Sequence, residues 1–427
     1  MSASDRDPAR IQGDKLDGLV QVLQLIRSGA ARTRGEVGDR AGLGRTAVIQ
    51  RITPLLESGL IREGLLGAST GGRSPRQLEF CADNGYILAA ELGATSINVG
   101  VADLNGKILE SFEVEIDVLI DPETVMRRVE GMLDSLVLRL GIQSQQIWGI
   151  GLGIPAPVEY ATGKPMSPPI MPSWDGYNLR SRLEDKFSAP AWIDNEVNLM
   201  ALGELRGGLG RGHQDFLYVK VGTGIGAGII IGGRLHRGAQ GSAGDIGHIA
   251  AVTERVVICR CGNINCLEAL AGGAAIARDA REISNDESVF QGVTLGSAVI
   301  SARDVAEAAA NGDSRMRRLL SEAGMLIGLT LAQLVNFFNP SLVIIGGGVT
   351  EAGDFFLAAI RQATYARSTP LATRDLRITR QRLSKQSGLV GAAAVVIDEL
   401  LRADQLSVWI DEKSPHGFVH AADGQLH

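Results

Sequence analysis

The first apolar pattern in the chain is Leu16, Leu19, Leu23 and Ile26, at three- and four-residue steps. This spacing predicts a helix with one buried stripe, ending near Ser28-Gly29. Thr33, with Glu36 three residues later, is a capping box that starts a short second helix, which runs to about Arg40 before Gly42 ends it. A third helix is expected from Gly44, with Val48, Ile49, Ile52 and Leu55 buried and Arg45, Thr46, Ala47, Gln50 and Arg51 outside. Pro54 should kink or stop it at Thr53. Helix, capped helix, glycine turn and polar-faced helix spell a helix-turn-helix, although a plain three-helix bundle fits the same spacing. Gly59-Leu60-Ile61-Arg62 and Gly71-Gly72-Arg73 add the look of a wing. In that reading Arg45, Thr46, Gln50 and Arg51 face the major groove of DNA and Arg73 the adjoining minor groove.

From Tyr86 the period changes from helical to alternating or continuous apolar runs. Ile87–Leu92 and Ile97–Ala102 read as strands, Asn105-Gly106 as a hairpin turn before Ile108–Ile116, and 121–140 as an amphipathic helix behind Asp121-Pro122. Ile147–Ile154 is a further strand. A similar set recurs where Phe216–Val221 and Ala227–Ile231 flank a glycine turn and Leu342–Ile345 runs into Gly346-Gly347-Gly348. The repetition implies a duplicated α/β architecture with a cleft between two lobes. Ala323 to Thr350 carries no charge, but Gln333, Asn336, Asn339 and Pro340 interrupt it, leaving a helix of roughly 15 residues against the ~20 that span a bilayer. A buried helix followed by a buried strand is expected there.

Length and composition narrow the function classes. At 427 residues, with 45% hydrophobic and 21% charged residues, the chain is an ordinary globular protein of two or three domains. The net charge of -6 excludes a surface that coats nucleic acid throughout. Residues 1–80 nevertheless hold 12 basic against 9 acidic side chains, so a nucleic-acid face belongs in that segment. The start, MSASDRDPAR, lacks the apolar core of a signal peptide. A cytoplasmic location is expected, with no membrane partner.

Two motifs carry chemistry. Gly222-Thr223-Gly224-Ile225-Gly226-Ala227-Gly228 lets backbone amides approach an anion, yet it is neither a Walker loop nor a dinucleotide fingerprint, and a ligand-free tight hairpin fits equally well. Cys259, Cys261 and Cys266, with His248 eleven residues upstream, are more specific. Three thiolates and one imidazole complete a tetrahedral zinc site with no open position, hence structural; the alternative is three buried free thiols. Such a loop would hold Glu268 near Asp245 and His248. Carboxylates beside a metal-bound imidazole, in a chain with 4% aromatics, suit a polyhydroxylated ligand.

Gly244-Asp245-Ile246-Gly247-His248, followed by Cys259-Arg260-Cys261-Gly262-Asn263-Ile264-Asn265-Cys266-Leu267-Glu268, closely resembles the signature of the ROK family of sugar kinases and transcriptional repressors. The resemblance runs from Leu19 to about Leu401 and includes the glycine loop, Gly346-Gly347-Gly348 and Asp194-Asn195-Glu196-Val197-Asn198. With its N-terminal helices the chain looks like the repressor branch, that of xylose and N-acetylglucosamine repressors. The resemblance implies an actin-like, two-lobed sugar kinase fold. It also implies one structural zinc on His248, Cys259, Cys261 and Cys266, and sugar contacts from Asn195, Glu196, Asp245, His248 and Glu268.

Departures from the family pattern decide between its branches. The kinases' Asp-x-Gly-Gly-Thr phosphate loop is here Glu91-Leu92-Gly93-Ala94-Thr95, and Glu196 stands where they carry the catalytic Asp. A carboxylate displaced by ~1 Å can cost on the order of 100-fold in rate. Asp245 replaces a usual Glu, and Pro169 stands where Pro-Asn is common, so the family pattern does not identify the sugar. The expectation is a sugar-responsive repressor of carbohydrate uptake or catabolism genes that has lost phosphotransfer. It would form a homodimer or homotetramer on an inverted-repeat operator and respond to a small sugar or sugar phosphate. The alternative is an active ROK-type kinase with an added DNA-binding domain. The boundaries expected are a winged helix-turn-helix over 1–82, lobe 1 over 83–195, lobe 2 with zinc and sugar cleft over 196–404, and a tail over 405–427.

Overall fold

The computed structural model describes residues 8–66, 76–116, 121–283 and 300–412. Helices α1 (Pro8–Arg27), α2 (Arg34–Ala41) and α3 (Arg45–Glu57) precede an antiparallel ribbon of β1 (Ile61–Leu66) and β2 (Arg76–Phe80). Thr33 caps α2 by accepting from the Glu36 N–H at 3.2 Å, and Gly42 closes it at φ 66°, as the sequence predicts. The Glu36 carboxylate reaches back one residue further than a standard box, to the Arg32 N–H. The Gly71-Gly72-Arg73 segment lies outside the described residues.

α3 departs from expectation in two ways. It continues to Glu57 with Pro54 inside, because the carbonyl that proline leaves unpaired belongs to Gln50, on the open side of the helix, where water can take its place. Ile49 is 47% exposed, not buried. Val48, Ile52 and Leu55 already fill the stripe facing α1, and Ile49 falls on its flank.

The rest is built from two five-stranded sheets of identical plan. In the first, β3 (Tyr86–Leu92), β4 (Ser96–Asp103), β5 (Ile108–Glu115) and, after α4 (Pro122–Leu140), β6 (Ile147–Ile154) are followed by a small pair, β7 (Val158–Glu159) and β8 (Lys164–Pro165). α5 (Leu179–Phe187) and β9 (Ala191–Asn195) complete it, in the order β5-β4-β3-β6-β9. α6 (Glu196–Gly207) then leads to β10 (Phe216–Val221), β11 (Ile225–Ile231) and β12 (Arg234–His236). Next come α7 (Leu267–Ala271), α8 (Gly273–Ile283), α9 (Ala302–Ala310), α10 (Ser314–Phe338) and β13 (Leu342–Gly346). α11 (Asp354–Arg367), α12 (Pro370–Thr373) and β14 (Arg377–Arg380) follow, and the second sheet has the order β12-β11-β10-β13-β14. In both, the first three strands form an antiparallel meander and the last two run parallel to the first.

α10 is 25 residues long, not 15, because its charged first turns, with Arg315, Arg317 and Arg318, belong to the same helix capped by Asp313. By length and apolarity it could cross a membrane, but Leu320, Ile327, Leu331 and Val335 lie at 0% exposure in the second lobe's core.

The chain's end crosses back. α13 (Ser387–Leu400) was expected with lobe 2, yet it lies on the first sheet, its Ala392 backbone against Gly151, where any Cβ would collide. The expected tail begins as α14 (Ala403–Glu412), because Leu406 and Trp409 supply an apolar face that is buried with Leu19, Leu23 and Ile26 of α1. The Trp409 ring meets Trp148 edge to face at 4.4 Å. Helical module and first lobe therefore share one continuous core.

Candidate functional site

The glycine run forms a tight hairpin: β11 starts at Ile225, two residues before the expected strand, and the Gly222 N–H donates to the Gly224 carbonyl at 3.0 Å. Its small residues serve close approach. The Ile225 N–H donates to Glu268 Oε2 at 3.1 Å, Gly226 faces Val197 next to Glu196, and the Ala227 N–H donates to the carbonyl of Gly244 next to Asp245 at 2.8 Å. Three consecutive residues of one strand thus gather Glu196, Asp245 and Glu268 from three separate elements. A Cβ at Gly224 would strike the Glu268 carboxylate.

At the other wall, β9 ends in Asp194-Asn195 and hands over to α6. Asn195 caps that helix, its Oδ1 accepting from the Val197 N–H at 2.9 Å while its Nδ2 donates to the Ala156 carbonyl at 3.0 Å. Asp194, 3% exposed, accepts from the Asn195 N–H at 2.7 Å and from Asn198 Nδ2 at 2.9 Å, and pairs with Arg237 Nε at 2.8 Å. Glu196, 6% exposed, is 2.5 Å from the Lys220 ammonium. Glu91 is buried nearby on β3. Burial pushes its carboxyl up to about 8; Lys220 pulls it down and Glu196 adds to the rise.

The metal-type cluster is assembled by a short loop. The Cys259 N–H donates to the Asn263 carbonyl and the Gly262 N–H to the Cys259 carbonyl, at 2.8 and 2.9 Å, with Gly262 at φ 89° making the turn. Isolated bridges Ala250 to Cys266 and Ile258 to Ile264 close it. Cys259 Sγ lies 3.6 Å from His248 Nδ1 and Cys261 Sγ 3.7 Å from Cys266 Sγ, and all four donor atoms fall within 4.8 Å of one another. Zn–S bonds of ~2.3 Å in a tetrahedron put sulfurs about 3.8 Å apart, so the spacing fits a four-coordinate cation. Without one, burial pushes Cys266 up to about 12 and Cys259 upward, whereas the Asn263 N–H holds Cys261 low. A divalent cation supplies the charge that such thiolates need. His248 Nε2 points the other way, 3.8 Å from Asp245 Oδ1, joining the cluster to the strand-gathered carboxylates.

On the helical module, Arg45, Thr46 and Gln50 are exposed on α3. Arg51 is not with them. Its guanidinium lies against Gly18 of α1 and donates to the Ala47 carbonyl at 3.2 Å, because a glycine in α1 opens the gap it fills. Arg73 lies outside the described residues. Lys220 and Arg237 were missed by sequence reasoning, although a lone lysine in the apolar strand Phe216–Val221 was a signal for the first.

A model of the ROK family matches residues 87–399. The xylose repressor of Caldicellulosiruptor bescii is 30% identical over 381 residues, 89% of this chain and 95% of that protein. Among solved structures, a ROK family transcriptional regulator homologous to the E. coli MLC protein superposes with a TM-score of 0.78 at 25% identity, over 93% of this chain and 99% of that one. A ROK family glucokinase from Streptomyces griseus, in complex with glucose and AMPPNP, gives 0.65 at 30% identity, over 73% of this chain and 99% of its own.

Proposed function

The chain belongs to the ROK family, and from that premise we propose that it is a sugar-responsive, DNA-binding repressor of carbohydrate uptake or catabolism genes. The observation that carries the reading is the attachment of the helical module: α1 shares a core with α13 and α14 of the kinase-like part, while Arg45, Thr46 and Gln50 of α3 stay open. The shared lengths support it, since the glucokinase accounts for 73% of this chain and the MLC-like regulator for 93%. The module acts as a winged helix-turn-helix, with α3 in the major groove and the segment around Arg73 beside it. Exposed Ile49 adds an apolar contact suited to a thymine methyl. The sugar sits between Asn195 and Glu196 on one wall and Asp245, His248 and Glu268 on the other. The protein works in the cytoplasm as a symmetric oligomer on an inverted repeat.

Zinc is the cation for His248, Cys259, Cys261 and Cys266, one per chain, closing the loop that seats Glu268. Elemental analysis should return about one zinc per chain, and Cys261→Ser should lose the metal together with any sugar-induced thermal stabilisation. Zinc well below one per chain would remove this assignment.

Phosphotransfer is lost in this reading. Glu196 is longer than the family's Asp and one of its oxygens is engaged by Lys220 at 2.5 Å, while Ala94 puts a Cβ in the phosphate loop. A second reading, an active kinase, is favoured by the buried carboxylate itself and by the likeness to a glucokinase. Coupled ATP consumption with D-glucose, D-xylose or N-acetylglucosamine separates them: no turnover above background is expected, and turnover abolished by Glu196→Gln would establish the kinase instead.

A further inference from the structure

Six polar side chains form an unbroken chain from the proposed sugar seat toward the helical module. Asp194 holds the Asn195 N–H on one oxygen and Arg237 Nε, at 2.8 Å, on the other. The Arg237 guanidinium lies 3.8 Å from the centroid of the Tyr160 ring. The Tyr160 hydroxyl donates to Glu399 Oε1 at 2.9 Å. Arg402 joins the other Glu399 oxygen at 3.1 Å and reaches Asp404, in the first turn of α14, at 3.3 Å. α14 then packs on α1 through Leu406 and Trp409. Arg237 follows β12 in the second lobe, Asp194 ends β9 in the first, and Glu399 lies on α13. The chain therefore crosses between lobes.

A parallel link starts from the same helix that Asn195 caps. Arg206, near the end of α6, pairs with Asp398 of α13 at 2.6 Å. Burial lowers the pKa of Arg27 on α1, and the charge of Asp398 is what chiefly opposes that.

We propose that Arg237 and Tyr160 are positioning residues that orient the Asp194-Asn195 wall and transmit its state through Glu399 to α14 and α1. This rests on the sugar-sensing reading above for its input. Stability alone gives little reason for the arrangement, because a buried ion pair is seldom better than apolar residues of the same volume. Its value lies in geometry. A change in lobe angle moves Arg237 relative to both Asp194 and Tyr160, and the far end of the chain is fixed to α14.

The test uses the full-length protein and hydrogen exchange of the α14 and α1 peptides, with D-xylose, D-glucose and N-acetylglucosamine as probes. Tyr160→Phe keeps the ring under Arg237 and removes only the bond to Glu399. The sugar that binds should bind this variant within about 3-fold of wild type, while the exchange change it causes in α14 and α1 falls about 5-fold or more. Arg237→Met, in sugar-free protein, should raise α14 exchange about 5-fold, and Arg182→Met, which breaks a separate surface network with Glu123 and Glu130, should leave α14 unchanged. Wild-type transmission in Tyr160→Phe overturns the relay. If none of the three sugars binds, the sensing reading is what fails, and the Arg237→Met arm alone decides: raised α14 exchange sustains the relay, unchanged exchange ends it.

Discussion

The two sheets have the same plan, and the same position in each carries a titratable side chain of opposite type, an acid in one and a base in the other. Glu91 on β3 stands two residues before Gly93 and pairs in register with Gly153 of the parallel neighbour; Lys220 on β10 stands two residues before Gly222 and pairs with Gly346. Glu196, at the start of the helix between the lobes, lies 2.5 Å from the lysine. A repeated backbone thus brings an acid and a base into the neighbourhood of one carboxylate, Glu196. The sheets differ too in what covers them. The first is closed by α13 from the far end of the chain and continues into the helical module, whereas the second carries the glycine hairpin and the cysteine loop. One lobe is joined to the helical module and the other carries the His248, Cys259, Cys261 and Cys266 cluster.

The Lys220 ammonium is the counter-charge of the buried Glu196 carboxylate. Lys220→Met leaves Glu196 buried without a counter-charge and should cost about 3–5 kcal/mol of unfolding free energy. The double variant with Glu196→Gln should recover most of it. Denaturant unfolding of the three proteins checks this, and a single variant as stable as wild type would mean that the pair carries no charge balance.

A smaller effect, with a sign set by pH, tests the acid side. The Glu91 carboxyl is raised by burial from 4.5 to about 8. Below pH ~4.5 it is protonated folded and unfolded alike, and between there and pH ~8 only the folded state keeps the proton. Stability should therefore fall as pH rises through that window and level off above it. Glu91→Gln should flatten the slope, with a difference on the order of 3 kcal/mol at pH 7 that shrinks toward acid. Parallel pH profiles of variant and wild type would contradict the assignment.

Local signals carried much of this into the sequence. Thr33 and Gly42 bound α2, Asp121-Pro122 starts α4, Asn105-Gly106 turns β4 into β5, and the spacing of Cys259, Cys261 and Cys266 marks a cluster that could hold a metal ion, because each depends on residues a few positions apart. Apolar periodicity reports a stripe without saying what fills it. Ile49 and Arg51 were thus misplaced once α1 supplied its own side chains and the Gly18 gap. α13 was assigned to the wrong lobe because the partner of Gly151 lies some 240 residues downstream, and nothing local marks such a contact. The candidate residues could be named from the sequence, and their pairings with Lys220 and Arg237 could not.

In the proposed repressor, a sugar in the cleft controls DNA binding by the module fastened to the first lobe. The direct measurement is fluorescence anisotropy of the full chain on an inverted-repeat duplex obtained by selection from random DNA at fixed salt, with and without whichever of D-xylose, D-glucose or N-acetylglucosamine raises its melting temperature. The sugar should weaken operator affinity about 10- to 100-fold, a coupling of about 1.4–2.7 kcal/mol. Operator affinity left unchanged by a sugar that demonstrably binds would contradict it.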